Sequence, residues 1–335
     1  MNKLFKCISK SEIDEIPIWF MRQAGRYLPE FRKIRQQNPD FIKLCLNPNL
    51  VKTITLQPIK RFKLDATIIF SDILMIPYGL GQNVRFEKGI GPKLEKLNLE
   101  NTLKTSKEDF EKKLTPVYEG LKKVKEETKR TSLIGFVGAP WTLLVYMLNE
   151  KSPKKDFTPD KILSDEIKVK RLMDKIIDAT FIHINKQVSA GANVIQIFDS
   201  WAELIPDNKF DKYCLEPTKK IVDYVKSLKV PVICFPKGIG VNYEKFCLTV
   251  KPDCISIDYN IDPNWIIKKS NGIAIQGGMD PKILLEDNKK IEYAVKKYLK
   301  TFSGYPYIFN LGHGVLPATK PEKIEFVIKT IRQDR

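Results

Sequence analysis

The chain has 335 residues, 43% of them hydrophobic and 10% aromatic, which is enough apolar material for a sizeable core and argues against global disorder. Lys and Arg number 57 against 40 acidic residues, a formal charge of +17, which suits a nucleic-acid face, a membrane face, a polyanionic small substrate, or simply lysines spread over solvated helices. Six cysteines with no CxxC pair argue against a secreted disulfide scaffold and read as reduced thiols of a cytosolic protein, and two histidines are too few for a histidine-based metal cluster.

Residues 1–15, "MNKLFKCISKSEIDE", lack an apolar core of signal-peptide length. Eight short apolar runs follow: "PIWFM" (17–21), "ATIIF" (66–70), "LIGFV" (133–137), "NVIQIF" (193–198), "VPVICF" (230–235), "CISID" (254–258), "IAIQ" (273–276) and "YIFNL" (307–311). Most are continuous rather than alternating, as in parallel strands covered on both faces.

Helical patterns separate most of these runs. Residues 106–130 are long and amphipathic, with Ser106 and Asp109 at capping-box spacing and Pro116 as a possible kink. Residues 165–191 end at a glycine stop, and 319–333 begin with Thr319 and Glu322 at capping-box spacing. The stretch 133–148 is 16 residues long and broken by Gly138, Ala139 and Pro140. A membrane-spanning helix needs about 20 apolar residues, so this stretch reads as a strand, a turn and a helix start in a soluble protein. Residues 79–105 exceed what a simple crossover needs and read as a loop or hairpin insertion after the second run. Repeated alternation of strand and helix predicts one (β/α)8 TIM barrel over residues 1–335.

A barrel of this kind carries its active site at the C-terminal ends of its strands. The residues after the eight runs are "RQAGR" (22–26), "SD" (71–72), "GAPW" (138–141), "DSW" (199–201), "PKG" (236–238), "DYN" (258–260), "GGMD" (277–280) and "GHG" (312–314). This ring holds cations, a histidine, glycines and carboxylates, notably Asp72 and Asp199. It has no Walker loop, no GxGxxG fingerprint and no nucleophile elbow. Two arginines four residues apart, Arg22 and Arg26, suit carboxylates or phosphates, which guanidinium binds bidentately.

Each residue also has a plainer reading. Arg22 and Arg26 could cap strand ends or pair with acids, Asp72 and Ser200 could cap helices, and Tyr146 could be core. His183 lies in an amphipathic helix and reads as structural, whereas His313 sits between two glycines with no packing stripe around it.

Taken together, the motifs carry a resemblance. "PIWFMRQAGRYLPEFR" resembles the signature of the uroporphyrinogen decarboxylases of haem biosynthesis. The likeness continues through "TLQPIKRFKLDATIIFSDILMIPYGLG" (55–81), "GFVGAPWTLLVYML" (135–148), "VIQIFDSWAELI" (194–205), "GGMDP" (277–281) and "NLGHGVLPAT" (310–319). It spans residues 17 to about 325 and implies a (β/α)8 barrel, a cytoplasmic homodimer, and no metal or organic cofactor. The implied reaction turns four acetate side chains of uroporphyrinogen III into methyls, giving coproporphyrinogen III. Arg22 and Arg26 are then expected to bind substrate carboxylates, with Gln23, Ala24 and Gly25 lining the cleft. Asp72 is expected to accept the pyrrole N–H groups and stabilise a protonated pyrrole. Tyr146, Ser200 and His313 are expected to contact substrate, with Phe41 packing nearby. Catalysis would rest on Asp72 and Arg22, although the high pKa of arginine makes Arg22 a poor proton donor.

Two rivals remain. A corrinoid-dependent methyltransferase of the same superfamily would need a zinc-thiolate site, but neither histidine has a cysteine two residues away and no cysteine follows Cys254. A nucleic-acid-binding protein would need a clustered basic face with stacking aromatics, whereas the charge here is scattered.

Overall fold

The computed structural model describes residues 3–10, 15–87, 89–128, 131–154 and 156–333. The strands in chain order are β1 (Ala66–Ile68), β2 (Val84–Glu87), β3 (Gly91–Leu94), β4 (Ser132–Gly138), β5 (Val194–Asp199), β6 (Val232–Pro236), β7 (Cys254–Ile257), β8 (Ala274–Gly277) and β9 (Tyr307–Ile308). Seven of them form one parallel sheet in the order β1-β4-β5-β6-β7-β8-β9. Each crossover between these parallel neighbours carries helix, as the continuous apolar runs predict.

The run 17–21 closes the circle. On one side it meets β9 through a parallel bridge, Ile18 to Phe309, with Phe309 N–H donating to Pro17 O at 2.9 Å. On the other, Asp65 N–H donates to Ile18 O at 2.9 Å. It forms no longer ladder because side chains take its backbone donors. The Asp65 carboxylate accepts from Ile18 N–H at 2.8 Å, Gln23 from Phe20 N–H at 3.0 Å, and Asn310 from Met21 N–H at 3.0 Å. The architecture is a TIM-type barrel whose eighth member is held largely by side chains.

Alternate strand residues fill the barrel: Trp19, Met21, Ile68, Ile134, Val194, Ile233, Phe235, Cys254 and Ile308 share one apolar cluster. Leu4, Cys7 and Ile8 of the helix Lys3–Ile8 join that cluster. Buried polar side chains of the same strands pair with one another: Trp19 Nε1 donates to Gln276 at 2.8 Å, and Gln276 donates to Gln196 and Ser256 at 3.2 Å. A larger apolar layer packs the helices around the sheet.

Ser106 caps the helix Lys107–Glu127, which continues through Pro116. Lys129 and Arg130, at the end of the predicted helix, lie outside the described residues. Asp165 caps Glu166–Ser189, and Gly191 follows at φ 111. The Thr319 capping box does not form. That helix starts at Pro321, whose fixed φ and missing N–H suit a first turn, and this leaves Thr319 one residue too early with its hydroxyl unpaired. The stretch 133–148 resolves into β4, the turn at Ala139 and the helix Pro140–Asn149. Among the described residues no helix is long and apolar enough to cross a membrane. Residues 79–105 contain the antiparallel β2–β3 hairpin and the helix Leu99–Lys104.

Candidate active site

The chain turns sharply after Met21. Arg22 sits at φ 62, a left-handed conformation that is uncommon for a residue with a side chain. Gln23 N–H donates back to Phe20 O at 2.9 Å. The Gln23 side chain is fully buried and spends its amide on Phe20 N–H and, at 3.2 Å, on Ala66 O, so it braces the barrel wall instead of reaching the cleft. Ala24 and Gly25 are half-buried. Gly25 is needed by the turn itself, since a Cβ there would lie 2.7 Å from Arg22 O. Arg32, exposed on the helix Pro29–Gln37, donates to Arg26 O at 2.9 Å and Tyr27 O at 3.0 Å and so fastens the end of the turn.

The "GHG" segment explains how Arg22 is seated. A Cβ on Gly314 would lie 2.3 Å from Cδ and 2.9 Å from Nε of Arg22, so the arginine stem lies across a glycine. A Cβ on Gly312 would lie 2.4 Å from Tyr259 N. Val315 N–H donates to Met21 O at 2.9 Å and locks the two segments together. Arg22 stays exposed at the mouth; partial desolvation by the atoms crowded around it, then Arg26, depress its pKa, while Asp72 and Tyr146 oppose them. The two arginines, Asp72 and Tyr146 therefore share one electrostatic neighbourhood.

Asp72 follows β1. One carboxylate oxygen accepts from Leu74 N–H at 2.9 Å, ahead of the short helix Met75–Gly79. That bond accounts for the capping reading but engages a single oxygen. Burial raises the Asp72 pKa to about 6, against the pull of Leu74 N–H and Arg22. Tyr146 is buried on the helix Pro140–Asn149, edge-on to Trp201 at 6.1 Å between ring centroids. Burial is the first cause raising its pKa. Ser200 is half-buried just beyond β5, next to Trp201. His313 is pushed down to about 4, by burial first and then by Arg22 and Lys237, so its imidazole is neutral at ordinary pH. Phe41 packs edge-on against Phe70 at 5.6 Å, two residues before Asp72, and against Phe86 of the hairpin at 4.4 Å. The structure thus gathers Arg22, Arg26, Asp72, Tyr146 and His313, sets Phe41 and Ser200 at their flanks, and turns Gln23 away. His183 is buried against Tyr118, its Nδ1 3.0 Å from the phenol oxygen, as its structural reading requires.

Two mouth carboxylates brace loops. Asp199, pushed up to about 7 by burial, accepts from Thr142 at 2.6 Å, and Thr142 in turn accepts from Trp201 N–H at 3.1 Å. Asp258 accepts from Gly238 N–H and Asn260 N–H, each at 2.9 Å. Lys237 was not singled out by sequence reasoning; the available signal was a lysine directly after a buried run, inside the mouth segment "PKG". A cavity of about 560 Å³ lies among Tyr259, Met279, Asp280, Lys289, Tyr293 and Lys297; it takes in parts of the mouth segments 258–260 and 277–280 but none of Arg22, Arg26, Asp72, Tyr146, Ser200 or His313. All six cysteines are buried and unpaired, and among the described residues no three His, Cys, Asp or Glu side chains gather as a metal-holding group.

The family model described as uroporphyrinogen decarboxylase matches residues 1–333. The chain is 45% identical to a uroporphyrinogen decarboxylase from Rickettsia bellii (strain RML369-C), covering 95% of this chain and 94% of that one. It is 43% identical to another from Rickettsia akari (strain Hartford), covering 96% and 97%. Among solved structures, a methyltransferase from Methanosarcina mazei aligns with TM-score 0.79 at 16% identity, over 99% of this chain and 97% of that one. A putative vitamin-B12 independent methionine synthase from Listeria monocytogenes aligns with TM-score 0.57 at 15% identity, over 97% and 98%. Those two likenesses concern the fold alone.

Proposed function

The chain belongs to the uroporphyrinogen decarboxylase family, and we propose that the mouth bounded by Arg22, Asp72, Tyr146 and His313 is where it decarboxylates uroporphyrinogen. The observation that carries this assignment is Asp72. It is a half-buried carboxylate at the barrel mouth with one oxygen held by Leu74 N–H, a pKa raised to about 6 by burial, and the charge of Arg22 acting on it.

Loss of CO2 from an acetate leaves an electron pair that needs a sink. A pyrrole protonated on a ring carbon is such a sink, so the substrate supplies its own. The C–CO2 bond then breaks into the ring, and protonation of the exocyclic carbon gives the methyl group. The ionised Asp72 accepts the pyrrole N–H groups and offsets the positive charge of the protonated ring. Arg22 and Arg26 clamp carboxylates on the rim and fix which acetate lies over Asp72. Neutral His313 and Tyr146 offer hydrogen bonds without adding a competing charge. Arg22 binds and orients; the atoms crowded around it lower a very high pKa but leave it a cation.

The same reading takes the product as coproporphyrinogen III and the catalytic unit as residues 1–335, with 79–105 as an insertion whose Phe86 reaches Phe41. It also takes the working form as a cytoplasmic homodimer, for which the family resemblance and the unpaired cysteines speak; sedimentation at micromolar concentration tests the dimer. The function itself is tested by anaerobic incubation with uroporphyrinogen in chelator-treated buffer. Accumulation of the four-carboxylate product is expected, and intact substrate after prolonged incubation with folded protein would overturn the assignment.

A further inference from the structure

Arg22 and Arg26 can clamp two carboxylates, while the substrate assigned above carries eight; the inference that follows rests on that assignment. Lys237 is the first residue after β6. Its backbone N–H donates to Asp199 O at 3.1 Å, which ties it to the end of β5. Its ammonium reaches Glu203 at 2.7 Å. Glu203 lies over Gly238, where any Cβ would fall 2.3 Å from Glu203 Oε2, and Gly238 N–H is held by Asp258 at 2.9 Å. The lysine side chain is 21% exposed and the glutamate 37%, so the anion is the more solvated member.

We propose that Lys237 is a third carboxylate-binding cation of the cleft and that Glu203 is its counter-ion in the empty enzyme, replaced by a substrate carboxylate on loading. Lys237 and Arg22 both disfavour a proton on His313, which sets the ammonium toward the same mouth. A cation placed there calls for an anion. A part-exposed glutamate is a weak one, because solvent screens the pair. A substrate carboxylate entering the narrower mouth meets the same ammonium with less water around it, and so competes well.

The alternative is a simple strap between the loops after β5 and β6. The two readings differ in sign. A strap fails equally when either end is removed. A counter-ion exchange makes Lys237→Met weaken binding and makes Glu203→Gln neutral or strengthening.

Binding of uroporphyrin, the oxidised and unreactive octacarboxylate, is measured by fluorescence quenching for the wild type and for Lys237→Met, Lys237→Gln, Lys237→Arg and Glu203→Gln. KM and kcat for uroporphyrinogen are measured alongside. The expected result is roughly tenfold weaker binding and a matching rise in KM for the Met and Gln variants at near-normal kcat. The Arg variant should recover, and Glu203→Gln should bind as well as the wild type or better. Wild-type binding by Lys237→Met and Lys237→Gln, or equal weakening by Lys237→Met and Glu203→Gln, overturns the role of Lys237 alone. A wild-type protein that neither binds uroporphyrin nor turns over uroporphyrinogen overturns the functional assignment beneath it.

Discussion

Two aspartates bracket the same strand and are used in opposite ways. Asp65 precedes β1 at the floor of the barrel, and Asp72 follows it at the mouth. The Asp65 carboxylate accepts from Ile18 N–H at 2.8 Å and from Arg332, and Lys3 Nζ lies 3.8 Å away. Its backbone also accepts from Ser132 N–H at 3.2 Å. One residue thereby joins the first run, β1, β4 and the C-terminal helix Pro321–Gln333. Asp72 has one backbone donor and a pKa raised by burial. The floor carboxylate is saturated and closes the barrel; the mouth carboxylate is left short of partners, in a place where a ligand can supply them. This is the division between stability and chemistry that the two ends of a barrel make possible.

The largest effect is expected from Asp72→Asn. It keeps shape and removes the charge, so kcat should fall at least about a hundredfold with an unchanged circular-dichroism spectrum. Near-normal turnover would move Asp72 to the structural side. Asp65→Ala should do the reverse. It strands Ile18 N–H and leaves Arg332 with only its bond to Ile16 O, and it should cost roughly 2–3 kcal/mol in urea unfolding while kcat/KM of the folded protein changes little. A loss of activity without a loss of stability would contradict the division.

Smaller changes test how the mouth is built. Gly314→Ala places a methyl group in the path of the Arg22 stem, 2.3 Å from Cδ. Displacing the clamp should raise KM by about tenfold or more, because small misplacements at a clamp are costly. An unchanged KM would show that Arg22 needs no such seat. Arg26→Lys replaces a fork by a point charge and should raise KM only about threefold; no change there would remove the bidentate contact.

The fold was legible because the buried runs are apolar and most are followed by a turn signal, so the barrel and its mouth residues could be read off together. The closure was not. Nothing in the residues around Asp65 marks it as the acceptor for Ile18 N–H, because that contact joins segments 47 positions apart. The arginine turn was half legible. Its position followed from the end of "PIWFM", but alternation could not tell that Gln23 turns inward, since a left-handed residue at Arg22 breaks the period. The bonds of Arg32, which sits exposed on its helix, were not legible either: its carbonyl partners exist only once the turn has formed. Lys237 was hidden because one lysine among many in a basic chain carries no signal until Glu203, distant in sequence, is placed beside it.

The subtlest expected effect separates the two aspartates by sign. Burial raises Asp72 from its usual 3.8 to about 6. The folded chain therefore binds that proton more tightly than the unfolded chain does. The associated stability is fully present below the unfolded pKa and is lost as pH rises through about 6. At neutral pH the ionised carboxylate is a net burden on the fold. Asp72→Asn cannot ionise, so at pH 7 it should be more stable than the wild type, by about 1 kcal/mol once screening at a half-exposed site is allowed for. The gain should shrink through the window from about pH 6 to pH 4 and vanish below it. Asp199, raised to about 7 for the same first reason, titrates nearby but is present in both proteins and drops out of the difference. Urea unfolding of the two proteins at pH 4 and pH 7 measures this directly. A variant less stable than the wild type at pH 7 would mean that Asp72, like Asp65, is held by partners that favour its charge.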